Sequence, residues 1–176
     1  MEHFSDLVKK RRSHRKFTCE RVDETQIQTI LDAALMAPTS KGLHSYSFYV
    51  VENPDLLQRL SACKSVGSQF VADASCAIVV AANPETSDVW IEDASTAATS
   101  MLYQAEDLGL GACWVQIRER LDAEGNSSEN IVRAILSIPE TERLVCMIAI
   151  GHKGMDRKEQ NMDRIEALKQ EKVVRL

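Results

Sequence analysis

The spacing of apolar residues alternates along the chain between a helical period and short unbroken runs. The clearest helix follows Asp23, with Gln26 three places on as in a capping box, and it ends before Pro38. Its apolar face consists of Ile27, Ile30, Leu31, Ala34 and Leu35. Further helices are predicted near 4–8, 56–60, 94–108, 131–136 and 163–172, and strands over 46–51, 76–82, 112–117, 144–150 and 173–174.

Two of these strands, 76–82 and 144–150, are apolar without alternation, which predicts that both of their faces are covered. Helices and strands alternate, but several connections are too short or too irregular for a simple doubly wound sheet. We therefore expect an α+β sandwich in which helices pack on a small central sheet. The Ala-rich helix at 94–108 and the isolated strand at 173–174 suggest surfaces that a second subunit completes.

The composition is that of a globular protein with one domain, since 176 residues are enough for a buried core. The net charge of −5 argues against broad nucleic-acid binding, so any phosphate site must be local. Five scattered cysteines without a C-x-x-C pair favour free thiols in a reducing compartment over disulfides or zinc. Neither a signal-peptide core nor an apolar run near the ~18 residues of a membrane span occurs, which predicts a soluble, cytoplasmic protein.

Residues 11–17, with the sequence Arg-Arg-Ser-His-Arg-Lys-Phe, are the most informative part of the chain, and we call them the basic segment. Four cations surround one hydroxyl in a protein that is acidic overall. Guanidinium groups suit the oxygens of a phosphate, so one interpretation is a bound anion that neutralises the cluster. The other is a solvated basic turn, or a nuclear-import-like run that includes Lys9 and Lys10.

Two further loops carry polar groups that could surround a ligand. Residues 37–44, the second loop, contain two hydroxyls, a cation and a glycine, although an ordinary helix-terminating loop has the same features. The Gly-His-Lys-Gly run at 151–154 follows an apolar strand, where ligand contacts often gather, but a plain turn is the alternative. The Gly-Leu-Gly run at 109–111 closes a helix and enters a strand, so we reject it as a dinucleotide fingerprint.

The sequence contains no recognisable set of catalytic acid–base or nucleophilic side chains. It contains no Ser-His-Asp, H-E-x-x-H or Walker pattern. Cys113 has no persuasive basic partner in sequence, and His152 lacks the spacing of a metal ligand. The remaining cations and backbone-rich loops suit a protein whose bound cofactor performs the chemistry.

The order of these motifs resembles the nitroreductase family of FMN-dependent oxidoreductases in its short, single-domain form, from about Leu7 to Lys158. The basic segment resembles the family's opening flavin-phosphate motif, and the second loop with the strand at 48–51 resembles its second flavin loop. Residues 90–98 through 109–114 resemble its long dimer helix and following turn, and 150–153 its last strand-end motif. The resemblance implies an α/β sandwich with a mainly antiparallel sheet in an intertwined homodimer.

The resemblance also implies which residues bind FMN at the subunit interface. The chain 1–176 would be one domain whose tail, 156–176, packs on the partner. Arg11, Ser13 and Arg15 would hold the phosphate and ribityl chain, with Arg12 close by. The second loop of the other subunit would contribute Pro38, Thr39, Ser40, Lys41, Gly42 and His44. Trp114 and Val115 would lie along the ring, and Gly151 with Lys153 near the phosphate or ring edge.

The implied activity is ping-pong electron transfer from NADH or NADPH, through FMN, to a small organic acceptor such as a quinone or nitroaromatic. Arg15 or Lys41 would stabilise negative charge on the reduced ring, with main-chain N–H groups around 114–116 as donors. Gly42 and His44 depart from the family's usual loop, which leaves the acceptor open. The alternatives are another reaction on the same scaffold (flavin fragmentation, dehalogenation or ene reduction), a non-catalytic flavin-binding protein and a flavin-free phospho-ligand module.

Overall fold

The computed structural model describes residues 3–176. Its helices are α1 (Phe4–Lys10), α2 (Glu24–Leu35), α3 (Pro54–Ser61), α4 (Trp90–Asp107), α5 (Ser128–Leu136) and α6 (Met162–Lys172). Its strands are β1 (Tyr46–Val51), β2 (Cys76–Ala82), β3 (Gly111–Gln116) and β4 (Arg143–Gly151). Short 3-10 turns lie at Ser40–Gly42 and Gln69–Asp73. The predicted positions of these helices and strands are confirmed to within a few residues.

The four strands form one antiparallel sheet in the order β1-β2-β4-β3. Every residue of β2 is buried, as is β4 beyond its first residue, which confirms that the two unbroken apolar runs are covered on both faces. Side chains alternate along β2, so that Ile78 packs with α2 and α4 while Val79 packs with α3 and α5. The protein is therefore the expected α+β sandwich, with helices on both sides of a small sheet.

The chain ends its long helix α4 by a sharp turn into β3. Gly109 has φ +76°, a conformation that glycine adopts without strain, and Leu110 N–H donates to the carbonyl of Ala105 at 2.8 Å. The Gly-Leu-Gly run therefore closes a helix and enters a strand, as its sequence order indicates. The turn brings β3 back antiparallel to α4, from the end of the helix towards its beginning.

The alanines of α4 face the protein's own core. The buried face consists of Ala94, Ala97, Ala98, Met101 and Ala105. These small side chains allow α2 and the sheet to approach, so a second subunit packed on this helix, as expected from the sequence, would meet its other face. The opposite face of the helix is open and carries hydroxyl groups instead, those of Ser95, Thr96, Thr99, Ser100 and Tyr103.

The C-terminal part of the chain packs loosely on this body. No residue of α6 is buried, and Val173 and Val174 are exposed and belong to no strand within residues 3–176. Val173 nevertheless has an extended backbone, with φ −104° and ψ 114°. The strand predicted at 173–174 is therefore absent from the single chain.

The remaining expectations from composition concern thiols and membranes. All five cysteines are free, and four of them are buried while Cys19 is exposed. None of the helices within the described residues combines the length and the apolar character needed to cross a membrane.

Candidate functional site

The first half of the basic segment runs extended beside β3. His14 N–H donates to the carbonyl of Ala112 at 3.0 Å, and Ser13 forms a parallel bridge with the same residue. Successive side chains of an extended segment point to opposite sides. Residues 11, 13 and 15 therefore share one face, and residues 12 and 14 share the other.

The face of Arg11, Ser13 and Arg15 carries positive charge that no ion pair among the described residues neutralises. The Arg11 guanidinium lies 5.8 Å from the centre of the Tyr103 ring, and that of Arg15 lies 5.9 Å from the Phe70 ring. Neither forms an ion pair with a carboxylate among residues 3–176. Aromatic contacts position the two guanidinium groups but leave their N–H donors free for an anion.

The Cys113 thiol lies beside this face and remains protonated. Burial raises the pKa of Cys113, and the nearby charge of Arg15, a hydrogen bond from Ser13 and the charge of Arg11 lower it by less. A raised pKa argues against a thiolate nucleophile, in agreement with the sequence, where no basic partner was found.

The opposite face of the segment holds the C-terminal part of the chain. Arg12 donates to the main-chain carbonyls of Lys158 and Glu159, the latter at 3.1 Å. Gln160 N–H donates to the carbonyl of Lys9 at 2.9 Å. Arg12 is predicted to lie close to the phosphate, and in the single chain its guanidinium binds these two carbonyls.

His14 is buried on that same face, next to an ion pair. It is 3% exposed, and its Nδ1 has no hydrogen-bonding partner in the described part of the chain. Lys153 Nζ lies 2.7 Å from Glu106 Oε1, so the lysine predicted near the phosphate already has a carboxylate partner. Burial lowers the pKa of His14, and the charge of Lys153 lowers it further, while Glu106 opposes them; the imidazole is therefore neutral at pH 7.

Gly151 and the side chain of Val115, two of the predicted ligand contacts, have packing roles in the single chain. A Cβ on Gly151 would lie 2.9 Å from the Phe17 ring, so this position needs glycine to let the basic segment approach. The Val115 side chain is buried in the layer of α3 and α5, and its main chain pairs with Met147 of β4. Trp114 is half-buried on the other side, where its indole N–H donates to Gln116 Oε1 at 2.9 Å.

The outer edge of β3 supplies main-chain donors beside the basic segment. β3 is an edge strand that pairs only with β4 within the sheet. Ala112 directs its carbonyl outwards to His14, and alternate residues of an antiparallel strand direct both main-chain groups to the same side. The N–H groups of Trp114 and Gln116 therefore point to the free edge, close to where the odd-numbered cations lie.

The second loop is held on the opposite end of α4. Ser40 N–H donates to Asp93 Oδ1 at 2.8 Å, and the buried Asp93 carboxylate also accepts from Ser87 Oγ at 3.2 Å. Positive φ angles occur at Lys41 (53°), Gly42 (66°) and His44 (47°). Pro38 is exposed, and the hydroxyl of Thr39 is buried without a partner in residues 3–176. The loop thus has a defined and partly strained shape.

The two halves of the predicted site do not meet within one chain. The basic segment contacts the end of α4, where Arg11 lies over Tyr103, and the second loop contacts the start of α4 at Asp93. At a rise of about 1.5 Å per residue these ends are roughly 15–20 Å apart. One chain therefore presents the two loops at separate ends of the same helix.

Between the two ends lies an open groove along the outer face of α4. Its volume is about 690 Å³, and its lining includes Phe4, Leu7, Met36, Thr96, Ser100 and Tyr103. Phe4 is 67% exposed and Met36 is 78% exposed, so large apolar side chains border the hydroxyl-rich helix face. Such a patch is typical of a surface that another protein covers.

Sequence reasoning missed the residues that hold these loops. No role was assigned from the sequence to Asp93, which binds the second loop, or to Glu106, which pairs with Lys153. The sequence does contain a weak signal for Asp93, because the helical period places it on the same face as the buried alanines of α4.

Comparison with known proteins gives the family. The sequence profile of the nitroreductase family matches residues 8–64 and 62–152. A solved FMN-dependent nitroreductase from Clostridium difficile R20291 is 40% identical, with a TM-score of 0.90 and 96% of each chain covered. A solved nitroreductase family protein from Clostridium novyi NT is 27% identical, with a TM-score of 0.75, 93% of this chain and 91% of that chain covered. A curated Archaeoglobus fulgidus protein, named provisionally as an NADH dehydrogenase/NAD(P)H nitroreductase, is 31% identical over 159 residues, 86% of either chain. The motif order, the antiparallel sandwich and these matches agree, and the chain belongs to the nitroreductase family.

Proposed function

We propose that this protein is a homodimeric, FMN-dependent oxidoreductase that uses NADH or NADPH to reduce a small organic acceptor such as a quinone or nitroaromatic. The observation that carries the proposal is the outward face of the basic segment, where Arg11 and Arg15 lack a carboxylate partner among the described residues. The names of the family relatives support flavin and nicotinamide as the two reagents.

The phosphate end of FMN fits this face chemically. A phosphate monoester carries close to two negative charges at pH 7, and guanidinium groups donate to its oxygens in pairs. Ser13 adds a hydroxyl between the two arginines. Arg12 and Lys153 have other partners in the single chain, so we assign the phosphate contacts to Arg11, Ser13 and Arg15 alone.

The ring end fits the free edge of β3. The main-chain N–H groups of Trp114 and Gln116 can donate hydrogen bonds to an electron-rich heterocycle. The indole of Trp114 offers an apolar surface beside them. Val115 supports this edge from within, because its side chain lies in the core and its main chain pairs with β4. The edge and the basic segment together form half of a binding cleft.

A twofold axis through the groove on α4 would supply the other half. When two copies of a helix pack antiparallel across a twofold axis, the start of one lies beside the end of the other. The second loop of one subunit, anchored at Asp93, would then approach the Arg11–Tyr103 end of its partner. The same packing would cover Phe4 and Met36, which are exposed in the single chain.

With Arg11, Ser13 and Arg15 holding its phosphate, the chemistry that FMN would supply is ping-pong electron transfer from the nicotinamide to the acceptor. The contribution of this chain is binding and electrostatics. Arg15, or Lys41 from the second loop, would favour the negative charge that a reduced ring acquires. No side chain of the site needs to transfer a proton, because water reaches an open cleft.

The test is optical and kinetic. Purified protein should be yellow, or become so with added FMN, and anaerobic mixing with NADH and NADPH should bleach the flavin before a quinone or nitroaromatic restores its colour. Protein that is folded but stays colourless in excess FMN would overturn the proposal. Yellow protein that neither nicotinamide bleaches would favour a non-catalytic flavin-binding role, and loss of the flavin itself under oxygen would favour fragmentation.

A further inference from the structure

Residues 156–160, which we call the strap, close over the even-numbered face of the basic segment. Gln160 binds the main chain there twice. Its N–H donates to the carbonyl of Lys9 at 2.9 Å, and its side-chain amide donates to that of Arg11 at 3.2 Å. The guanidinium of Arg12 adds the two bonds to strap carbonyls already described. These hydrogen bonds attach the strap to the end of α1 and the start of the basic segment.

The strap buries little of its own surface. Residues 156–159 are exposed, and α6, which follows, has no buried residue. A segment that buries few apolar side chains opens locally at a much lower free-energy cost than the whole protein unfolds. The strap is therefore a unit that can detach while the sheet and its helices stay folded.

His14 lies beneath the strap, next to a cavity of about 180 Å³. The strap contributes Asp156, Arg157 and Glu159 to the lining of this cavity. The His14 side chain is 3% exposed, and its Nδ1 has no hydrogen-bonding partner among residues 3–176. A Cβ on Gly111 would lie 2.9 Å from His14 Cβ, so the ring is packed against the start of β3 and cannot withdraw to that side. Movement of the strap would admit water to the ring.

The charges around the ring oppose protonation of the neutral imidazole. The cations are Lys10 of α1, Arg12 of the basic segment, and Lys153 and Arg157 after β4. The carboxylates are Glu106 of α4 and Asp156 and Glu159 of the strap. Glu106 is already paired with Lys153 at 2.7 Å, and the carboxylates of the strap are exposed, where water and salt screen them. Burial, and after it the charge of Lys153, accordingly lower the pKa of His14.

We infer that the strap is operated by a proton: protonation of His14 releases residues 156–160 from the basic segment, and the neutral imidazole lets them close. The inference does not depend on a bound flavin. In the open state the ring is in water and regains an ordinary pKa of 6.5, so a bound proton favours opening. The closed strap is therefore most stable above about pH 6.5, and acidification below this value should free the C-terminal segment, which includes α6.

Hydrogen exchange measured by NMR on the full-length protein tests the strap. The amide of Gln160 reports opening. The amide of Gly154, which donates to the carbonyl of Lys16 at 2.9 Å just before the strap, reports the stability of the body. Protection factors correct each measurement for the intrinsic exchange rate at that pH. From pH 7 to pH 5 we expect the protection of Gln160 to fall by up to about 25-fold relative to that of Gly154, the limit for one group that regains a pKa of 6.5 on opening.

Two histidine variants form a matched pair. His14→Gln keeps a neutral polar side chain beneath the strap and should abolish the pH dependence. His152→Gln removes a histidine that lies outside the cavity, 4.0 Å from Glu20, and should keep it. An equal loss of protection in the wild-type protein and His14→Gln would assign the effect to the carboxylates and overturn the inference. A loss that the core amides of β4 share equally would also overturn it, because it would mark global unfolding.

A reciprocal measurement needs no change at His14. Gln160→Pro removes both hydrogen bonds of this residue without changing the net charge, so the strap should open more often. NMR titration of the His14 ring should give a pKa below 6.5 in the wild-type protein and a value closer to 6.5 in Gln160→Pro. If the pKa of His14 is the same in both proteins while the strap amides exchange freely in the variant, the strap does not control this histidine and the inference is wrong.

Discussion

The strongest quantitative prediction compares two adjacent arginines of the basic segment. Arg11 and Arg12 are chemically identical neighbours that the structure places on opposite faces, one open and one directed at the C-terminal segment. We predict that Arg11→Ala weakens FMN binding strongly and that Arg12→Ala weakens it little. The comparison separates a specific phosphate contact from a general loss of positive charge, because both variants change the net charge equally.

The magnitude follows from the contacts that each arginine makes. Hydrogen bonds to a charged group contribute about 1.5–3 kcal/mol, so losing those of Arg11 should raise the dissociation constant of FMN roughly 10- to 150-fold. The cation–π contact of Arg11 with Tyr103 is worth about 0.5–1 kcal/mol, which leaves the fold intact. Arg12→Ala loses its bonds to the carbonyls of Lys158 and Glu159, so its effect should appear as faster amide hydrogen exchange near Gln160.

Fluorescence titration of apo-protein with FMN measures both dissociation constants, and hydrogen exchange with mass spectrometry measures the tail. An FMN dissociation constant that rises equally in the two variants would show that the faces are not distinguished by the ligand. A larger effect in Arg12→Ala than in Arg11→Ala would refute the assignment of the outward face to the phosphate.

Three further outcomes follow from the structure. Burial depresses the pKa of His14 below 6.5, so on acidification the unfolded state binds a proton before the folded state does. The contribution of His14 to the free energy of unfolding should be complete above about pH 6.5 and fall below it. His14→Val should reduce this loss of stability, measured by urea unfolding at pH 7 and pH 5. Burial and the hydrogen bond to Glu142 raise the pKa of Tyr49 to about 12, and Glu142→Gln should move its alkaline spectroscopic titration back towards 10, whereas an unchanged midpoint would exclude the carboxylate as a cause. Thr99→Arg places a bulky cation on the exposed face of α4 and should convert a dimer into a monomer by light scattering; an unaltered dimer would exclude this face as the interface.

The sequence predicts those features that depend on local pattern. The unbroken apolar runs of β2 and β4 identify the two central strands, because only a strand covered on both faces has no polar alternation. The capping box of Asp23 and Gln26 marks the start of α2, and the structure shows both of its bonds. These signals lie within a few residues of each other, so no knowledge of the tertiary structure is needed to read them.

The sequence does not predict which side of a segment faces which partner. The sequence does not distinguish Arg11, Arg12 and Arg15. Which face of the segment each side chain occupies is determined by the bridge between Ser13 and Ala112, which are nearly 100 positions apart. The helical period of α4 likewise reveals an alanine face and a hydroxyl face, but either could cover the sheet. Here the alanines are on the inside, where α2 and β2 approach the helix closely and Met101 is the one large side chain among them.

In the proposed dimer, the position of the two loops on α4 would link cofactor binding to assembly. Each loop is anchored to a different end of the same rigid helix, through Asp93 and through Tyr103, so one subunit alone presents only half of the proposed cleft. A ligand that contacts both halves binds the dimer and not the monomer, and by mass action it stabilises the dimer to the same extent that dimerisation raises its affinity. The interface and the FMN site are then one thermodynamic unit, in which a substitution on the groove of α4 should weaken cofactor binding without touching the cofactor.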